Sequence, residues 1–142
     1  MIARDALRRV ALIYARVALG AGFLSAVADR FGLWGSPGAR HVAWGDFAHF
    51  LRYTATLNPL LPASAIPAVG AIVTVCEIVL GIALLAGVWT PVVGALSGCL
   101  LLAFAAGMTV GTGVKTALDA SVFAAAAAAF LLALVAAPAQ RR

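Results

Sequence analysis

Apolar residues in this chain come in four long blocks, over residues 10–28, 66–86, 92–108 and 118–136, with polar stretches between them. The length of the blocks sets the class of protein. A helix rises about 1.5 Å per residue, so about twenty apolar residues cross the roughly 30 Å hydrocarbon core of a bilayer. The stretch IPAVGAIVTVCEIVLGIALL, residues 66–85, meets that length with a single carboxylate, Glu77, near its middle. The pattern predicts an all-α, integral membrane four-helix bundle: one membrane domain over residues 1–142, with residues 29–65 as its one long connection, outside the membrane core.

The polar stretches predict how the blocks are joined. Gly32, Gly35, Ser36, Pro37 and Gly38 mark an irregular turn after the first block. WGDFAHFLRYTATLNP then reads as a short amphipathic helix. Asp46 is placed to cap its first turn, Trp44, Phe47, Ala48, Leu51 and Ala55 recur at helical spacing, and Asn58-Pro59 stops it. Its aromatic content predicts a position in the interface, over the mouth of the bundle. Gly87-Val88-Trp89-Thr90-Pro91 is so short that the second and third spans must be antiparallel neighbours. In the first block, Ala11, Ala15, Ala18, Gly22 and Ala26 form a face on which another helix can pack closely. That block follows Arg4, Arg8 and Arg9 and contains Ala26-Val27-Ala28, as a secretory leader would. Its length and Arg16 within it predict an uncleaved first helix instead.

Composition sharpens the class. The chain has 142 residues, of which 64% are hydrophobic and 11% charged, and a mean hydropathy of +1.06. That excludes an ordinary soluble domain. The net charge of +5 is carried by scattered arginines with no basic stripe, so anionic lipid headgroups, not nucleic acid, are the expected counter-charge. Arg4, Arg8, Arg9, Arg141 and Arg142 flank the first and last spans, against Arg30, Arg40, Arg52 and Lys115 on the opposing loops. This bias predicts a multi-pass protein of the inner (plasma) membrane with both termini cytoplasmic. Cys76 and Cys99 lie in apolar runs without a Cys-x-x-Cys, which predicts inert thiols and no metal site.

No phosphate loop, nucleophile elbow or metal-ligand cluster is present, and no residue is assigned a catalytic role. The candidate ligand-binding residues are Arg16 and Glu77 at membrane depth, His49 and Tyr53 four apart on the loop helix, and Lys115 and Asp119 at the entry to the fourth span. A carboxylate in hydrocarbon costs at least about 2.5 kcal/mol, so Glu77 is expected to face protein and have a partner. Arg16 lies twelve residues before the end of the first block at Ala28, and Glu77 eleven after the start of the second at Ile66. Equal depth predicts a buried Arg16–Glu77 ion pair. Such a set can hold a quinone headgroup, or act as a static salt bridge.

At these residues the chain resembles the DoxX family of small four-helix bacterial membrane proteins. The matching pieces are Arg16-x-x-Leu19-Gly20-x-x-Phe23-Leu24 and Glu77-x-x-x-Gly81-x-x-Leu84-x-x-Gly87-x-x-Thr90. The WGDFAHFLRYTATLNP loop and Lys115…Leu118-Asp119-x-Ser121 match one branch of the family. Pro91 departs from the basic residue expected after Thr90, and Ala26 or Ala28 from the glycine usual near the end of the first span. The resemblance implies a redox-associated membrane subunit that docks a redox-enzyme partner and binds a quinone or similar amphiphile between its helices. The alternative is a non-catalytic scaffold, or a lipid- or hydrophobic-solute-binding protein; a small exporter is a third class. A second copy of the chain is a further candidate partner. A cavity with polar walls favours a ligand, a solid core a scaffold.

Overall fold

The computed structural model describes residues 2–137. Arg141 and Arg142, counted above among the basic flanks, lie outside the described residues. The described chain is all helical: α1 (Ile2–Arg30), α2 (Phe47–Leu57), a 3-10 turn at Ala63–Ala65, α3 (Ile66–Ala86), α4 (Thr90–Thr112), α5 (Val114–Asp119) and α6 (Val122–Ala136). Three of these helices, α1, α3 and α4, are long and apolar enough to cross a membrane. On α3, Ile72, Val75, Val79 and Ile82 form one exposed apolar face at three- and four-residue steps. Lipid, not water, is the solvent that suits such a face.

Local chemistry explains most of the boundaries. Asp46 accepts the His49 backbone N–H and starts α2, and Asn58 ends it. Pro67 and Pro91 lie in the first turns of α3 and α4, where a missing N–H costs nothing. Gly87, in the left-handed region at φ 74°, closes α3, and the chain re-enters a helix at Thr90. The block expected as one helix over residues 118–136 is two. Ser121 adopts φ 56°, so α5 stops at Asp119 and α6 restarts at Val122. Both segments pack on α4: Ala117 of α5 is fully buried, and Ala129, Phe130 and Ala133 of α6 lie against Gly94 and Gly98. α6 is left with fifteen residues.

Two tight helix pairs make the bundle. In the first, a Cβ on Gly20 of α1 would sit 2.9 Å from the Gly81 carbonyl oxygen of α3, so the two backbones touch. In the second, a Cβ on Gly94 of α4 would lie 3.0 Å from the Ala129 carbonyl oxygen of α6, and Gly98 accommodates the Phe130 ring. Phe23, Leu80, Leu84, Val93 and Leu132 join the pairs in one buried cluster near the α3–α4 turn. At that same end, Arg8 of α1 donates to the Val135 carbonyl of α6. Toward the opposite end the pairs separate, and α2 lies across the gap.

Candidate functional site

The site is built where α1 ends. Asp29 and Arg30 close that helix and both are buried. Asp29 Oδ2 accepts the backbone N–H groups of Ala43 (3.0 Å) and Trp44 (2.9 Å), which folds the connection back over the end of α1. Trp44 is thereby set beside Arg30, and α2 follows directly. Arg30 turns inward between α1 and α3. Its Nη1 donates to the Thr74 hydroxyl at 3.0 Å and to Glu77 Oε2, a charge pair whose two side chains are 2% and 3% exposed. The Arg30 guanidinium carbon lies 3.8 Å from the Phe50 ring centroid and 5.2 Å from that of Trp44. A planar, delocalised cation suits both contacts at once; an ammonium would not. Arg30 Nε is buried with no hydrogen-bond partner.

Glu77 is therefore partnered, as a buried acid must be, but by Arg30 and not by Arg16. The Gly20–Gly81 contact fixes the register of α1 on α3. Arg16 lies four residues before Gly20 and Leu85 four after Gly81, so Arg16 meets the far end of α3. There its Nε donates to the Leu84 carbonyl at 2.9 Å and its Nη2 to the Leu85 carbonyl at 3.0 Å, capping that helix end. Equal counting from the block ends fails because the ends are not level: α1 stops below the start of α3, and the folded-back connection and α2 occupy the difference. The Arg30 side chain spans the remaining offset to Glu77.

Between the separated helix pairs lies a cavity of about 590 Å³, floored by Leu19, Phe23, Leu100 and Phe104 and walled by Val69, Val73 and Met108. Its polar lining groups are Arg30, Glu77, Trp44, Tyr53, Thr54 and Asn58, four of them on α2 or directly beside it, and the rest of the wall is largely apolar. Trp44 and Tyr53, with ring centroids 5.9 Å apart, also line a shallower outer hollow with His49, Arg52 and Thr56, and so form the partition between the two. His49 Nδ1 lies 2.8 Å from Asp46 Oδ1 on the outer side. The His49 N–H bonds hold the Asp46 carboxyl below its ordinary range, with Arg52 adding to the effect. Burial pushes the Tyr53 phenol above its ordinary value, which keeps it a hydrogen-bond donor.

The residues singled out in the sequence therefore fall in four places. Glu77 and Tyr53 line the cavity, and His49 lies outside the partition. Arg16 is at the opposite end of α3. Lys115 and Asp119 pair with each other on α5, with side chains 85% and 63% exposed, and take no part in the cavity. Arg30 and Thr74 were not foreseen, and Trp44, Phe50 and Asn58 were expected only as parts of the loop helix over the bundle mouth, not as lining of a site. The signal for Arg30 was present: a charged Asp-Arg pair directly abutting an apolar block, on the same side as the loop aromatics. Cys76 and Cys99 are both free, and no cluster of metal-ligating side chains occurs among the described residues. No family model matches the chain, and no curated protein and no solved structure is similar to it.

Proposed function

We propose that this chain is a four-crossing integral membrane protein of DoxX-like architecture that holds a quinone or similar neutral amphiphile in the cavity beneath α2. The fourth crossing is α6, entered through α5. α2 lies in the interface as a lid. The protein acts as a redox-associated subunit, and thiol chemistry on the ligand falls to a docked enzyme, since Cys76 and Cys99 lie on different helices and are free.

The observation that carries this reading is the cavity itself. Its volume, about 590 Å³, lies in the range that takes a small organic ligand, with a largely apolar wall and a few convergent polar groups. Its lining includes residues that carry donors: the Arg30 guanidinium, the Tyr53 phenol and the Trp44 indole. The Arg30 charge is already balanced by Glu77. Donors without net charge suit a ligand with uncharged carbonyl oxygens better than an anion.

Extraction of the protein with its native lipids, followed by mass spectrometry of the bound small molecules, tests the reading. Quinone is expected well above its share of the bulk lipid, and Glu77→Gln is expected to reduce it. Enrichment of another lipid instead supports the second reading, a non-catalytic lipid- or solute-binding protein, which the largely apolar wall also favours. For orientation, burial of Arg30 in its ion pair removes it from the loop charges opposing the basic N-terminal turn, which strengthens the assignment of both termini to the cytoplasm of a bacterial inner membrane. Cysteine probes at Ser36 and Thr112 should be labelled from outside intact cells, and one at Trp89 spared.

A further inference from the structure

Four seams separate neighbouring helices around the bundle, and they are held together in different ways. The α1–α3 and α4–α6 seams are backbone contacts at glycines. The α3–α4 seam is joined by the turn at one end and filled by α2 at the other, with Leu51 against Gly70, Leu57 against Gly107, and the Thr56 carbonyl against Gly111. The α1–α6 seam is tied at the turn end by Arg8 and Val135. Beyond that tie, Ala18, Gly22 and Ala26 of α1 and Val122 and Ala125 of α6 line the cavity, yet Ala18 and Gly22 are exposed on the molecular surface. A Cβ on Gly22 would meet no atom within 4 Å.

We propose that the α1–α6 seam is a lateral portal through which a neutral, carbonyl-headed amphiphile passes between the lipid phase and the cavity. This rests on the cavity reading above and adds the route. Small side chains on both edges leave a slot without breaking either helix. Arg30, with its side chain buried and its Nε unpartnered, stands at the inner end of the path with the Tyr53 and Trp44 donors. Passage through the seam keeps the apolar part of the ligand in hydrocarbon throughout, whereas entry past α2 would draw it through water.

The test uses the full chain in phosphatidylcholine nanodiscs, with Trp34→Phe and Trp89→Phe leaving Trp44 as the single indole. Both replaced residues are exposed. The probe is a short-tailed alkyl benzoquinone delivered from phosphatidylcholine vesicles, read by quenching of Trp44. Gly22→Leu, and independently Ala125→Leu, should slow the approach to the quenched state by about tenfold or more, equivalent to roughly 1.4 kcal/mol on the barrier, with the melting temperature little changed. Ile72→Phe, on the exposed face of α3, should leave the rate as it was. Saturable quenching at an unchanged rate in both plugged variants would overturn the portal while keeping the cavity. Equal slowing by Ile72→Phe would overturn it as well. Absence of saturable quenching in the unplugged protein would overturn the cavity reading itself.

Discussion

Arg30 is held by a carboxylate, a hydroxyl and two aromatic rings, and each contact depends on water being absent. Removing one partner of such a pair strands a buried charge, at a cost of about 3–5 kcal/mol, whereas removing both leaves only a packing change. Arg30→Met and Glu77→Leu should therefore each lower thermal stability strongly, and the double variant should recover much of the loss. A double-mutant cycle measures this; additive losses would mean that the pair carries no coupling. Arg30→Lys should fall near the single variants, because an ammonium keeps the charge but loses the flat contact with Phe50. At this scale the sequence was half legible. Glu77 stood out because an acid in a long apolar run has few explanations. Arg30 did not, because a charge at a block edge reads as the start of a loop, and its inward course follows from a helix register set ten residues away at Gly20. Arg16 was expected as the buried partner of Glu77; it is half-buried and caps α3 instead, and that was not legible because its partners are carbonyl groups, which every residue carries.

α2 shows what local signals can specify and what they cannot. Asp46 and Asn58 bound it in the structure as helix-end preferences require. Its seat is a different matter, set against two glycines on other helices that are not equally strict. A Cβ on Gly111 would lie 2.1 Å from the Thr56 carbonyl oxygen and 2.6 Å from the Leu57 Cα, which are backbone atoms that cannot yield separately. A Cβ on Gly70 would meet the Leu51 Cδ2 at 2.4 Å, a side-chain end that can rotate away. Gly111→Ala should thus lift α2, seen as faster hydrogen exchange over residues 47–57, while Gly70→Ala leaves that exchange near its original rate. The cap also makes α2 sensitive to acid. Asp46 has a carboxyl pKa lowered in the folded chain, so its contribution is present above the ordinary aspartate value and lost as pH falls through the lowered one. Exchange over the first turn of α2 should rise on acidification, and Asp46→Ala should abolish that dependence. The α5–α6 break escaped the sequence reading because Asp119 and Ser121 read as the polar entry to one span, and no glycine or proline marks the positive φ that Ser121 adopts.

Three long apolar helices follow from hydropathy alone, and so did the antiparallel meeting of α3 and α4 at a short turn. The division into two tight pairs did not. Glycines are common in this chain, and which of them become backbone contacts depends on the face each presents after folding. The cavity is a consequence of that division, since two pairs closed on themselves have little left with which to close on each other. The unequal helix lengths have a consequence for the surrounding lipid. At about 1.5 Å per residue, the 29 residues of α1 extend roughly 43 Å and the fifteen of α6 only about 22 Å, less than the roughly 30 Å of an average hydrocarbon core. On the four-crossing reading proposed above, a membrane meeting both must be thinned beside α6 or left to α5 to cover, so that the annulus is thicker on one flank than on the other. In a series of monounsaturated phosphatidylcholines, the melting temperature should peak at chain lengths shorter than those that match α4. An optimum at the longer chains would show that α5 lies within the bilayer as part of the crossing. On the same reading mismatch concentrates on the α6 flank, so acyl-chain length should act on the width of the proposed α1–α6 portal as well as on stability.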